Sequence, residues 1–224
     1  MPIRYRNRTD AGRRLATKLS AYADHPDVLV LALPRGGVPV AFEVARTLHA
    51  PLDVFVVRKL GLPDHEEFAM GAIASGGVRI LDQRVIGAFG VSREEIAEVT
   101  ATEQRELERR ELLYRGDRPP LDVAGRTVIL VDDGLATGST MLAAVTALRQ
   151  ENAARVVAAV PIAPPETCDA FRDVADEIVC AMTPEPFHAV GLWYEDFRQT
   201  TDEEVRELLE RAAREVGVGA LPRR

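Results

Sequence analysis

No apolar run in this 224-residue sequence is long enough to span a bilayer; the longest, near Val28 to Leu33, is about a third of what a membrane helix needs. Cysteine is scarce. Cys168 and Cys180 are the only two, no zinc-like ligand spacing surrounds them, and two thiols do not make a disulfide framework. Both are expected as buried small hydrophobes. Basic charge is in deficit: 28 Lys and Arg against 35 Asp and Glu leave a formal net charge of -7, which argues against a protein devoted to a nucleic-acid backbone. The one basic cluster, the five arginines before Leu15, reads as a solvated N-terminal face. The N-terminus MPIRYRNRTDAGRR has no apolar core of seven or more residues and no small-residue cleavage site, so a secretory signal is not expected and the expected compartment is the cytoplasm. Internal repeats and low-complexity tracts are absent as well.

What is present is ordinary soluble composition, 46% hydrophobic and 28% charged, arranged as buried strands alternating with helices. Thr9 to Ala23 has helical spacing, VLVLAL is an apolar run covered on both faces, Val38 to His49 is helical again, and LDVFVV, 52 to 57, is a second buried strand. That is a βαβ unit. The segment RKLGLPDHEEF, 58 to 68, lacks periodicity and is expected to be an exposed loop, and AMGAIASGGVRILD to be a hairpin turning at Gly76-Gly77. Ser92 to Tyr114 reads as one charged helix with a Ser92/Glu95 capping box and a thin apolar stripe, packed on the outside or against another subunit. Beyond it follow a strand TVILVD, a helix from about Gly138 to Gln150, a strand ARVVAAVPI, a helix around Pro165 to Val174, a short strand EIVCA and a last helix from Asp202 to about Val216. The alternation predicts an α/β fold with a doubly wound, mostly parallel sheet whose ligands sit at the carboxyl ends of the strands.

One stretch carries the chemistry. In VILVDDGLATGST, 128 to 140, Asp132 and Asp133 end a buried strand, and Thr137-Gly138-Ser139-Thr140 turns into the next helix. Backbone N–H groups at a helix N-terminus, flanked by hydroxyls, suit a phosphate, and the two carboxylates suit a vicinal diol. Together they describe a ribose 5-phosphate site. The plainer alternative is an Asp-Asp turn that only caps a helix. Neither a P-loop, which needs GxxxxGK[ST], nor a G-x-G-x-x-G fingerprint occurs here.

The same stretch resembles the 5-phosphoribosyl-1-diphosphate (PRPP) signature of the type I phosphoribosyltransferases, and in its DDGLATGST wording it is most similar to the adenine enzymes. That resemblance implies one domain over residues 1 to 224, with a core of about 28 to 181 and a small hood of about 182 to 200 plus the N-terminal segment. It implies that Asp132 and Asp133 bind the ribose hydroxyls, that Ala136, Thr137, Gly138, Ser139 and Thr140 hold the 5′-phosphate, and that Gly134 and Leu135 are among the PRPP-binding residues. LPRGG, 33 to 37, matches the family's pyrophosphate loop through Arg35, Gly36 and Gly37, often with a cis non-proline peptide. VVRKLGLP, 56 to 63, resembles the Arg-Lys pair of the adenine and orotate enzymes, so Arg58 and Lys59 would face the diphosphate, with the loop to Phe68 as a lid. PFHAVGLWYEDF, 186 to 197, sits where purine enzymes grip a base, which makes Phe187, Val190 and Trp193 base-binding candidates.

Ala136 stands where the hypoxanthine-guanine enzymes keep an acid/base aspartate. Glu67, with Glu66 beside it, is the lid carboxylate that could replace it; His65 and His188 are weaker candidates. Lys59, Glu67, Asp132 and Asp133 form the expected catalytic set. The resemblance further implies Mg²⁺ carried by PRPP near Asp132 and Asp133 with no direct protein ligand, a nucleobase acceptor with purine favoured, a homodimer, and no nucleic-acid or membrane partner. Two rivals stay open: a PRPP- or nucleotide-sensing regulator with little transferase activity, and a hydrolase of phosphorylated sugars or nucleotides.

Overall fold

The computed structural model describes residues 4–63, 65–120 and 122–215, without the side chains of Glu66 and Glu67. In chain order the elements are α1 (Arg8–Lys18), β1 (Val28–Ala32), α2 (Gly37–Leu48), β2 (Leu52–Val54), β3 (Val57–Leu62), β4 (His65–Ala74), β5 (Arg79–Leu81), α3 (Gln83–Phe89) and α4 (Arg93–Arg115). Then come β6 (Thr127–Val131), α5 (Ser139–Gln150), β7 (Arg155–Ile162), α6 (Pro165–Phe171), β8 (Glu177–Met182) and α7 (Asp202–Glu215). Five strands form one parallel sheet in the order β2-β1-β6-β7-β8, and β3-β4-β5 form a separate antiparallel sheet. The predicted doubly wound α/β class is what the chain adopts.

The continuous apolar strands split by parity, because successive side chains of a strand point to opposite faces. Val28, Val30, Ala32, Ile129 and Val131 pack on one face with α1, α2 and α7, whereas Leu29, Leu31, Val128 and Leu130 pack on the other with α5 and α6. With β1 and β6 paired in the middle of the sheet, both strands need apolar residues at every position, which is why the sequence shows runs rather than alternation.

Three expectations are corrected. Residues 58 to 68 are not an exposed loop, since β3 and β4 pair as a hairpin from Val57↔Ala74 to Leu62↔His65. Leu60 and Leu62 bury one face of it while Arg58 and Lys59 break the apolar pattern, and the register slips around Gly61, so the period of two is hard to read. The second core strand is also shorter than LDVFVV suggests: β2 stops at Val54, and the chain crosses into the small sheet at Val57.

Cys168 and Cys180 are the third correction, for they form a disulfide rather than standing as separate hydrophobes. The reason is tertiary. Cys180 points from β8 into the same apolar layer as Cys168 of α6, which twelve residues of sequence do not reveal. Elsewhere the local signals are followed: the Ser92/Glu95 capping box opens α4, and Gly76 and Gly77 turn at φ 79° and 80°. α4 packs against β3, β4 and α7 and buries Leu107, Tyr114 and Arg115. α3 had no counterpart in the sequence reading.

Candidate functional site

Two neighbouring strands of the parallel sheet, β1 and β6, end side by side, and each hands over to a loop of chemical interest. After β1 the chain passes through Leu33, whose N–H donates to Val131 O at 2.9 Å, and then through Pro34-Arg35-Gly36-Gly37 into α2, with a cis peptide between Pro34 and Arg35. After β6 come Asp132 and Asp133. The two loops touch so closely that a Cβ on residue 36 would lie 2.1 Å from Asp133 Oδ2. Only glycine fits there.

The two carboxylates sit in an electrostatically unfavourable place. Burial pushes the Asp132 carboxyl well above the usual range, the charge of Asp133 adds to this, and the Asp133 N–H, 2.8 Å from Asp132 Oδ1, together with Arg8 only partly offsets it. Burial also raises Asp133, opposed chiefly by Arg8. Arg8 donates to Asp133 Oδ2 from Nε and Nη2, each at 2.8 Å, and these two side chains keep only 12% and 15% of their surface exposed. Its Nη1 donates to Arg198 O at 2.7 Å, and its guanidinium lies 4.0 Å over the Phe197 ring. Arg8 is therefore no part of a solvated N-terminal face. Tyr194, buried, donates its hydroxyl to Asp133 O at 2.6 Å, and burial raises its own pKa.

Downstream, Leu135 N–H donates to Ile162 O, which pins the turn to the end of β7, and Thr167 Oγ1 donates to Ala136 O at 2.9 Å. Gly138 turns in the left-handed region at φ 74°, and α5 starts at Ser139. Ala136, Thr137 and Ser139 are exposed there, and the Thr137 and Ser139 hydroxyls stand 3.4 Å apart. The first N–H groups of α5 have no intrahelical acceptor, so this end presents donors, hydroxyls and the positive end of the helix dipole on one surface. A phosphate-sized anion suits it.

The other sequence-selected residues divide. Lys59 and Arg58 line a cleft of about 770 Å³ bounded by β3, by Glu95, Glu98 and Glu103 of α4, and by Thr140. Arg58 is already engaged: its Nε and Nη2 lie 2.6 Å from Glu103 Oε2. Arg35 reaches Asp202 at 3.8 Å, and Asp202 accepts from the Tyr114 hydroxyl at 2.7 Å. Phe187, Val190 and Trp193 pack around Tyr5, Ile162 and Tyr194, and a Cβ on Gly134 would fall 2.6 Å from Val190, so this segment lies directly on the Asp-Asp turn. The N-terminal segment joins it, since Tyr5 N–H donates to Trp193 O at 2.9 Å. His65 sits in an aromatic group with Phe68 and Phe89, and His188 is exposed. The side chains of Glu66 and Glu67 lie outside the described residues.

Sequence reasoning missed Arg8, Tyr194 and Asp202. For Arg8 a signal existed: with Ala11 and Leu15, both buried, it forms an i, i+3, i+7 stripe on the inner face of α1. Tyr194 and Asp202 offered none, because their partners lie 61 and 88 residues away.

Residues 4–184 match the family described as phosphoribosyl transferase domain. The chain belongs to that family. It is 47% identical over 209 residues to the Mycobacterium tuberculosis (strain H37Rv) protein named "Putative phosphoribosyl transferase Rv0571c", covering 93% of this chain and 47% of that one. The chain thus spans about half the length of the Mycobacterium relative. A Kineococcus radiotolerans protein named uracil phosphoribosyltransferase is 31% identical over 176 residues, covering 76% of this chain and 73% of the relative. Among solved structures, the protein TT1426 from Thermus thermophilus superposes with a TM-score of 0.82 at 42% identity, covering 93% of this chain and 98% of that one. No described helix is long and apolar enough to cross a membrane.

Proposed function

We propose that this chain transfers the 5-phosphoribosyl group of PRPP to a nitrogen nucleophile, a nucleobase and a purine first, releasing diphosphate. One observation carries the reading: Asp132 and Asp133 stand between the LPRGG loop and the hydroxyl-lined start of α5, an order that suits diphosphate, ribose diol and 5′-phosphate in turn. In the transfer, the bond from C1 to the diphosphate oxygen breaks with its electron pair leaving on diphosphate, and a bond from the acceptor nitrogen to C1 forms. Positive charge builds on the ring between the two events. The residues therefore have to hold the ring and the leaving group more than supply a nucleophile. The α5 N-terminus fixes the 5′-phosphate, Asp132 and Asp133 fix the diol, and Lys59 with the LPRGG loop receives the diphosphate. Ala136 has no titratable group, so Glu67 is the candidate to take the acceptor's proton.

Among the described residues no group of three or more His, Cys, Asp or Glu side chains could hold a metal ion. Two carboxylates suit a Mg²⁺ that arrives on the substrate and keeps several waters, and there it would neutralise charge on the leaving diphosphate.

The test incubates the protein with PRPP, Mg²⁺ and a panel of purines, pyrimidines and other amines, following diphosphate release and the product mass. An acceptor-dependent phosphoribosyl product is expected. PRPP affinity unchanged by Asp132→Asn and Asp133→Ala would sink the reading.

A second reading, a PRPP- or nucleotide-sensing regulator, draws support from the diphosphate side. Arg58 is neutralised by Glu103, and three glutamates of α4 line the cleft around Lys59, a poor setting for catalysing diphosphate departure. PRPP binding without turnover across the panel would favour it.

A further inference from the structure

Arg8 is the group at this site for which the proposed chemistry has no use, and it is held more firmly than an incidental counter-ion would be. Its three contacts converge from two separate parts of the chain: the Asp133 carboxylate, and the Arg198 carbonyl with the face of Phe197 next to it. It stands at the first position of α1, directly after the N-cap Asn7, so its backbone is fixed as well. Both guanidinium bonds to the carboxylate fall on Oδ2. Neither falls on Oδ1.

The groups around Asp133 are few. Asp132 is the like charge beside it, Tyr194 binds its carbonyl, and Arg8 is the cation that acts on both carboxylates. Asp133 is thus clamped at one carboxylate oxygen by Arg8 and at its carbonyl by Tyr194. Both clamps belong to the layer formed by the N-terminal segment and residues 193–198, in which the tilted rings of Tyr194 and Phe197 also lie 4.9 Å apart.

Resting on the phosphoribosyl reading, we propose that Arg8 is a positioning residue that sets Asp133 for a ribose hydroxyl and makes the 193–198 segment respond when PRPP binds. A guanidinium can do this because its planar fork serves a carboxylate, a carbonyl and an aromatic face at once; an ammonium cannot. Trp193, the single tryptophan of the chain, lies inside that segment and reports on it.

The experiment titrates PRPP with Mg²⁺ into the full chain and into Arg8→Gln, Arg8→Lys, Asp133→Asn and the Arg8→Gln/Asp133→Asn pair. Affinity is read by calorimetry, the segment by tryptophan fluorescence, and folding by thermal unfolding. The wild type is expected to bind with a change in Trp193 emission. Arg8→Gln should weaken PRPP by about tenfold, the scale of one charge-assisted hydrogen bond, and should lose the Trp193 response even at saturation. Arg8→Lys should recover affinity but not that response, and the double variant should bind no more weakly than Asp133→Asn.

A folded Arg8→Gln protein with wild-type affinity and a wild-type Trp193 response overturns the assignment. Should Arg8→Gln fail to fold, Arg8→Lys decides through the fluorescence: a wild-type response there overturns it equally. If the wild type ignores PRPP, or Asp133→Asn binds as well as wild type, the phosphoribosyl reading itself falls. Normal behaviour of Arg8→Gln beside an impaired Asp133→Asn defeats the Arg8 assignment alone.

Discussion

Arg115 with Asp53 is a buried arginine–aspartate pair and Arg8 with Asp133 a part-buried one, and their surroundings differ in kind. Around Arg115, Nε meets Asp53 Oδ2 at 2.7 Å, Nη1 meets Glu111 at 3.0 Å, and Nη2 donates to Val54 O at 2.8 Å. Burial opposes its charge, but Asp53 and Glu111 outweigh that and leave its pKa raised. Arg8 by contrast serves an aspartate with a second aspartate adjacent, and both carboxyls stay raised despite it. Arg115 bonds directly to both of its carboxylates, Asp53 and Glu111, and closes the back of β2 against α4, whereas Arg8 bonds directly to Asp133 and not to the adjacent Asp132. Imbalance of that sort lowers stability, and it is where a ligand has something to offer.

The contrast sharpens first through stability. Arg115→Met removes the cation that bonds buried Asp53 and half-buried Glu111 and is expected to destabilise the fold by about 3–5 kcal/mol, read as a lowered denaturation midpoint. Adding Asp53→Leu to it should recover much of the loss. An unchanged midpoint in Arg115→Met would erase the distinction between the pairs.

Next in size, Asp133→Asn should weaken PRPP about 10- to 100-fold in calorimetry, because a charge-assisted hydrogen bond worth one to two powers of ten is exchanged for a neutral one. Tyr194→Phe removes the hydroxyl that holds Asp133 O at 2.6 Å. It should cost about 1 kcal/mol of stability, a Tm drop of about 2–4 °C in a chain this size.

The smallest effect has the opposite sign. Asp132 carries a folded-state carboxyl raised above its unfolded value, so between the two values the unfolded state binds fewer protons and stability falls as pH rises. Asp132→Asn removes that charge and should stabilise the protein at pH 8 by on the order of 1 kcal/mol, with the gain shrinking as pH falls into the acidic range. A thermal-unfolding series against pH checks it; a gain that grows toward acid pH would mean that Asp132 is not the strained member.

Legibility followed the range of the interaction. The apolar runs of β1 and β6, the Ser92/Glu95 box, the Gly76-Gly77 turn and the Asp132–Thr140 turn are each complete within about a dozen residues, so their meaning could be read locally. The β3–β4 hairpin was harder, because its buried face alternates through Leu60 and Leu62 among charged neighbours. The Cys168–Cys180 bond needed the parity of β8 against the position of α6, and the pairing of Arg8 needed the inner face of α1 to be laid over the end of β6.

The sequence by itself determined the α/β class and the place of one strand-to-helix turn, because apolar runs, caps and a strand-to-helix transition are set by neighbours in the chain. Only the tertiary structure decided which charges that turn would feel. A carboxylate's ionisation depends on desolvation and on every charge within a few ångströms, and here the cation that acts on Asp133 comes from 125 residues earlier in the chain.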